Sequence, residues 1–71
     1  DMKKALTWIN EADKNSPDAY NIKYWKARIQ LKIGDKAGAI ESANQGLKLA
    51  IAEPSAEYIR LNNEVLAETK K

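Results

Sequence analysis

The sequence of 71 residues contains neither cysteine nor histidine. It therefore lacks the side chains of zinc fingers and thiolate clusters, the histidine base of serine and cysteine hydrolases, and any possibility of a disulfide. Phenylalanine is also absent, and only two prolines and three glycines interrupt the chain. No apolar run approaches the roughly 20 residues that a membrane-spanning helix needs. The length of 71 residues allows one small domain, or a segment of a larger one.

The charged residues are numerous but balanced. The 12 basic and 10 acidic residues leave a formal charge of +2. This excess is too small to indicate nucleic-acid binding by itself. Because 44% of the residues are apolar, the composition is that of an ordinary globular domain with a charged surface.

Breaks in the apolar pattern divide the chain into four helical segments. The breaks fall at residues 15–17, 34–35 and 53–55. Ser16 is suited to N-cap a helix with Pro17 in its first turn, Gly34 to end a helix in a left-handed conformation, and Asp35 to cap the next. The pattern predicts helices at about 2–14, 18–33, 36–52 and 56–69. The expected fold class is all-α.

The second helix differs from the others because it is apolar on two sides. One stripe consists of Tyr20, Tyr24, Ala27 and Leu31, and an opposite stripe of Ile22, Trp25, Ile29 and Ile33. A helix of this kind packs between neighbours, so we place it in the middle of the structure. The stripe of the third helix is Ala39, Ile40, Ala43, Leu47, Ala50 and Ile51. With Gly46, its small residues predict a close approach of the neighbouring helix.

The sequence partly repeats itself at a shift of 34 residues. Asp1 aligns with Asp35, Ala5 with Ala39, and Tyr24 with Tyr58. A period of about 34 with two helices per unit is typical of a helical solenoid.

The stretch from residue 24 to residue 49 resembles a bacterial member of the tetratricopeptide repeat family. The resemblance rests on Tyr24 and Trp25, Ala27, Gly34 and Asp35, Ala39 and Ile40, and Gly46 and Leu47. Lys26 departs from the apolar residue usual in the family, and Pro54 comes later than its closing proline. The resemblance implies antiparallel helical hairpins stacked as a short solenoid.

The repeat register also divides the chain. Residues 1–15 correspond to the second helix of an incomplete repeat, 18–52 to one full repeat and 55–71 to a capping helix. The expectation is a C-terminal segment of a longer array that contacts the upstream part of the same polypeptide. The alternative is a complete three- or four-helix bundle. Met2 and Trp8 predict that the first helix self-associates, or that Trp8 stays substantially exposed.

The residues give little support to catalysis, and we expect no enzyme activity, metal or cofactor. Glu57, Glu64 and Glu68 share one side of the fourth helix, but Arg60 lies between them, which favours a salt-bridged solvent face over a metal site. No phosphate-binding loop or calcium-binding loop is present.

The basic residues of the second helix argue against nucleic-acid binding as the leading interpretation. Lys23 and Lys26 lie opposite Arg28 and Lys32 on the helix, which divides the positive charge over two flanks. A helix-turn-helix would place an apolar residue at Asp35. Nucleic-acid binding is kept as the least favoured of three hypotheses.

The leading hypothesis is a non-catalytic protein–protein interaction module. The resemblance implies a groove for a peptide or a partner domain, lined by Asn21, Tyr24, Trp25, Arg28, Lys32, Tyr58 and Asn62. The two cations on this face predict an acidic peptide or one with a free carboxylate. The alternative is that Tyr24 and Trp25 are core residues and that the polar side chains of this face are merely solvated. The second hypothesis is a structural C-terminal cap that packs on an upstream domain.

Overall fold

The computed structural model describes all 71 residues and consists of four helices. They are α1 (Met2–Asn15), α2 (Tyr20–Lys32), α3 (Lys36–Ala52) and α4 (Ala56–Thr69). No strand is present, so the predicted all-α fold is confirmed, with boundaries within two residues of the sequence-based ones. No helix combines the length and apolar character that a membrane span requires.

The turn between α2 and α3 forms as its glycine predicts. Gly34 has a φ of +89°, which is accessible to glycine without the steric cost that a Cβ imposes. Its N–H donates to the carbonyl of Leu31 at 3.2 Å, and the N–H of Asp35 donates to the carbonyl of Gln30 at 2.9 Å. This pair of bonds is the Schellman motif, which satisfies carbonyls at the helix end. The side chain of Asp35 then accepts from the N–H of Gly38 and starts α3.

The start of α2 differs from the prediction that Ser16 caps it. The N-cap of α2 is Ala19, which makes no side-chain hydrogen bond, and Ser16 instead ends α1. Proline disfavours the helical conformation in the residue that precedes it. Ser16 precedes Pro17 and accordingly has the non-helical angles φ −139° and ψ 69°. Its carbonyl accepts from the N–H of Ala19 at 3.1 Å, so residues 16–19 form a turn before α2 begins.

The predicted central position of α2 is confirmed. This helix packs against α1, α3 and α4, whereas α1 packs against α2 alone. The molecule measures 32 × 32 × 16 Å, so the helices form a thin slab. The outer face of α1 remains exposed, and the second stripe of α2 is only partly covered, with Trp25 50% and Ile33 42% exposed.

The core of the slab is small and lies where α2, α3 and α4 meet. Its buried residues are Tyr24, Ala27, Ala43 and Val65. The buried face of α3 consists of small residues, namely Ala39, Ser42, Ala43, Gly46 and Ala50. Ile40 and Ile51 of the predicted α3 stripe are exposed instead. The small residues let the backbone of α3 approach the neighbouring helices closely. Because α3 turns this small-residue face inward, Ile40 and Ile51 face solvent.

Candidate partner-binding groove

A groove of about 540 Å³ runs between α2 and α4. Its apolar lining includes Tyr24 and Leu31 from α2, and Leu61 and Val65 from α4. These side chains recur every three or four residues on their helices, so each helix contributes one continuous face. The charged side chains of the groove are Arg28, Lys32, Glu64, Glu68 and Lys71. The groove thus combines an apolar lining with charges contributed by both helices.

Tyr24 connects the core to the groove. Its ring is buried and packs edge-on against Trp25 and Tyr58, with ring centroids 5.2 and 5.7 Å away. Its hydroxyl accepts a hydrogen bond of 2.7 Å from the guanidinium of Arg28, one helical turn further along α2. The guanidinium carbon also lies 5.8 Å from the centroid of the Tyr24 ring, within the range of a cation–π contact. Arg28 is therefore held in place by Tyr24 while most of its donors remain free.

The charges of the two helices are compensated differently. Glu64 accepts from Arg60 at 2.7 Å, and Glu68 accepts from Lys71 at 3.1 Å. Arg28 and Lys32 form no ion pair with an acidic side chain. The uncompensated charge in the groove is therefore positive and comes from α2.

The structure brings together three of the seven residues predicted to bind a partner. Tyr24, Arg28 and Lys32 line the groove, and the other four do not. Asn21 is exposed on α2, and Trp25, also outside the groove, is 50% exposed. Both remain accessible to a partner that extends beyond the groove.

Two predicted residues of α4 face the interior. Tyr58 is half-buried and packs against the rings of Tyr20 and Tyr24, with centroids 5.0 and 5.7 Å away. Asn62 is fully buried, which corrects the expectation that it neighbours Arg28 in the groove. Its side-chain N–H donates to the carbonyl of Tyr58 at 2.8 Å.

The reason for the burial of Asn62 is the glycine that faces it on α3. A Cβ added to Gly46 would lie 2.7 Å from Oδ1 of Asn62, so only a glycine leaves room for this side chain. Oδ1 has no hydrogen-bond partner. Asn62 is a packing residue at the α3–α4 contact and is not accessible to a ligand.

The residues of α4 that do line the groove were not among the predicted ones. They are Leu61, Glu64, Val65, Ala67 and Glu68. Leu61 and Val65 belong to the apolar stripe visible in the sequence. However, periodicity alone does not say that this stripe forms a groove wall as well as part of the core.

A second feature of the surface is the ion-pair cluster between α1 and α2. Lys23 and Lys26 place their ammonium groups 2.6 and 3.1 Å from the carboxylate oxygens of Asp13. Desolvation by burial raises the pKa of Asp13, but contacts with Lys23 and then Lys26 outweigh it, so that the net pKa is lowered. This cluster fixes the α1–α2 hairpin and contributes no residue to the groove.

The side chains form no cluster of three acidic residues that could hold a metal ion. Comparison with known proteins gives no relative. No protein-family model, no curated protein and no solved structure matches this chain. The likeness to tetratricopeptide repeats therefore rests on the residues quoted above and stays a prediction.

Proposed function

We propose that this chain is a non-catalytic protein–protein interaction module of the tetratricopeptide-like helical repeat type, and that the α2–α4 groove binds an acidic peptide. The observation that supports the proposal is the pair of cations without acidic partners, Arg28 and Lys32, beside an apolar lining. A ligand with alternating carboxylate and apolar side chains matches both properties. The groove volume of about 540 Å³ also lies within the range of sites that hold small ligands or a few side chains.

Arg28 is the residue on which recognition depends most. Its guanidinium is restrained by Tyr24, so less side-chain entropy is lost when a carboxylate binds. Arginine presents parallel donors that match the two oxygens of a carboxylate, whereas a lysine acts as a point charge. In this proposal Arg28 selects the ligand group, and Lys32 adds favourable charge one turn away.

Three fluorescent peptides of equal length test the proposal. They carry leucine at alternate positions and differ only in the residues between, which are glutamate, glutamine or lysine. We expect the glutamate peptide to bind most tightly and the lysine peptide least, as measured by anisotropy. The Arg28→Ala variant should bind the glutamate peptide about 5- to 150-fold more weakly, equivalent to roughly 1–3 kcal/mol for a hydrogen bond to a charged group.

The Lys48→Ala variant serves as the matched control. Lys48 is an exposed cation on α3, outside the groove, and its loss changes the net charge of the protein by the same amount. Equal affinities of wild type and Arg28→Ala for the glutamate peptide contradict the proposal. Equal losses of affinity for the glutamate peptide in the Arg28→Ala and Lys48→Ala variants would instead indicate nonspecific electrostatic attraction that depends only on the net charge of the protein.

The second candidate function is a structural one, in which these helices pack on another domain of the same polypeptide. Its supporting observation is the exposure of Trp8 and Trp25, at 68% and 50%, together with the single helical neighbour of α1. The two functions use different surfaces. If the function is structural, Trp8→Ala should lower the melting temperature of a longer polypeptide that contains this segment by more than it lowers the melting temperature of the segment alone. Arg28→Ala should leave both melting temperatures unchanged.

A further inference from the structure

The outer face of α1 has no partner in the structure. This helix packs against α2 alone, through a side on which Ile9 is fully buried. On another side, Trp8 is 68% exposed, more than any other large apolar side chain. Lys4 and Glu11 surround it together with Lys3 and Thr7. An exposed tryptophan with a charged rim is the usual composition of a contact surface.

The charges around Trp8 are arranged so that this face is complementary to itself. Lys4, Trp8 and Glu11 follow one another at spacings of four and three residues, so they share one face of the helix. Lys4 and Glu11 are also equally distant from the midpoint between Thr7 and Trp8. A two-fold axis through that midpoint places Lys4 of each copy opposite Glu11 of the other. Trp8 then lies close to the axis and loses its contact with water.

We infer that the outer face of α1 binds a second copy of this chain as an antiparallel helix pair. The charge pattern selects the orientation, because a parallel pair would place Lys4 opposite Lys4 and Glu11 opposite Glu11. Such two-fold contacts are the commonest kind in homo-oligomers. One helix face is smaller than a standard interface, so we expect a weak dimer, with a Kd on the order of 100 µM. This interface shares no residue with the α2–α4 groove, so it is independent of the proposed function.

Two charge reversals test this antiparallel orientation, and neither is expected to destabilise the fold. Lys4→Glu places an acidic residue in the first turn of α1, where none is present, and Glu11→Lys moves positive charge toward the helix C-terminus. Both changes suit the helix dipole, and neither residue forms an ion pair within the chain. Lys48→Glu on α3 is the matched control, since it reverses an exposed charge on another face.

The measurement is sedimentation equilibrium over protein concentrations from 10 µM to 1 mM at low salt. Wild type and Lys48→Glu should associate equally. Lys4→Glu and Glu11→Lys should each dissociate at least tenfold more readily, because every copy then meets like charge on its partner. An equimolar mixture of the two variants should regain the wild-type association, since the two acidic side chains of one variant then meet the two basic side chains of the other. Trp8→Ala should be monomeric.

Tryptophan emission gives an independent readout in the Trp25→Phe background, where Trp8 is the remaining tryptophan. Its maximum should shift to shorter wavelength as the dimer forms. A wild-type protein that remains monomeric at 1 mM overturns the inference. Association that is unchanged in both charge variants overturns it as well, and so does a mixture that associates no better than its components.

Discussion

Replacing Gly46 with alanine should destabilise this protein, although alanine is the better helix former. The added Cβ would lie 2.7 Å from Oδ1 of Asn62, whereas ordinary contacts begin at about 3.4 Å. Asn62 is fully buried and bonded to the carbonyl of Tyr58, so it has no free space into which it can rotate. The clash must therefore be relieved by moving α3 away from α4 or by breaking the hydrogen bond.

The expected magnitude follows from three effects at the same contact. Overpacking a tight contact costs about 1–3 kcal/mol, and loss of the Asn62 hydrogen bond costs about 1 kcal/mol. The higher helix propensity of alanine contributes about 1 kcal/mol in the opposite direction. The last two effects cancel, so the net expectation is a destabilisation of about 1–3 kcal/mol, which is large for a small helical domain with roughly 3–5 kcal/mol of total stability.

The assay is urea unfolding followed by circular dichroism, on a double-mutant cycle with Asn62→Ala. In the Asn62→Ala background the obstructing side chain is gone, so Gly46→Ala should stabilise the protein by up to about 1 kcal/mol. The same substitution is thus expected to change sign with the residue at position 62. A stabilising effect of Gly46→Ala in both backgrounds would refute the close contact between α3 and α4.

Two further predictions concern other contacts of the fold. Ala39 is fully buried on α3, so Ala39→Leu should lower the unfolding free energy by about 1–3 kcal/mol through overpacking. The control is Ala37→Leu at an exposed position of the same helix, which should change the unfolding free energy by under about 0.5 kcal/mol. Equal urea midpoints for the two variants would show that position 39 is not tightly packed. Asp13→Asn should lower the unfolding free energy by about 1–3 kcal/mol at pH 7, because it removes the partner of the buried Lys23. Since the folded-state pKa of Asp13 is lowered, its contribution is present above the unfolded pKa of about 3.9 and is lost as the pH falls further. The stability difference between wild type and Asp13→Asn should therefore shrink when urea unfolding is measured from pH 7 down to pH 3, and a difference that stays constant would contradict the ion-pair explanation.

Local signals in the sequence predicted the helices and two of the three turns. Gly34 and Asp35 act on their own neighbours, because a left-handed residue and a capping carboxylate need only adjacent backbone groups. The two apolar stripes of α2 likewise predicted its central position, since a helix that is apolar on opposite sides needs a neighbour on each. The N-cap of α2 was misplaced by three residues, because Ser16 ends α1 before Pro17 and residues 16–19 form a turn that leaves Ala19 at the cap.

The candidate groove was only partly predictable. Tyr24, Arg28 and Lys32 lie at spacings of four on α2, and helical periodicity alone places Arg28 and Lys32 together. On α4, periodicity does not fix which face meets α3, because rotation of a helix about its own axis is decided by how its side chains fit the neighbour. That fit is decided at Gly46, whose missing side chain admits Asn62 into the contact. The rotation buries Asn62 and presents Leu61, Glu64 and Glu68 to the groove. The sequence by itself determined the helices and their order, whereas the composition of the groove depended on a contact between two helices that only the tertiary structure brings together.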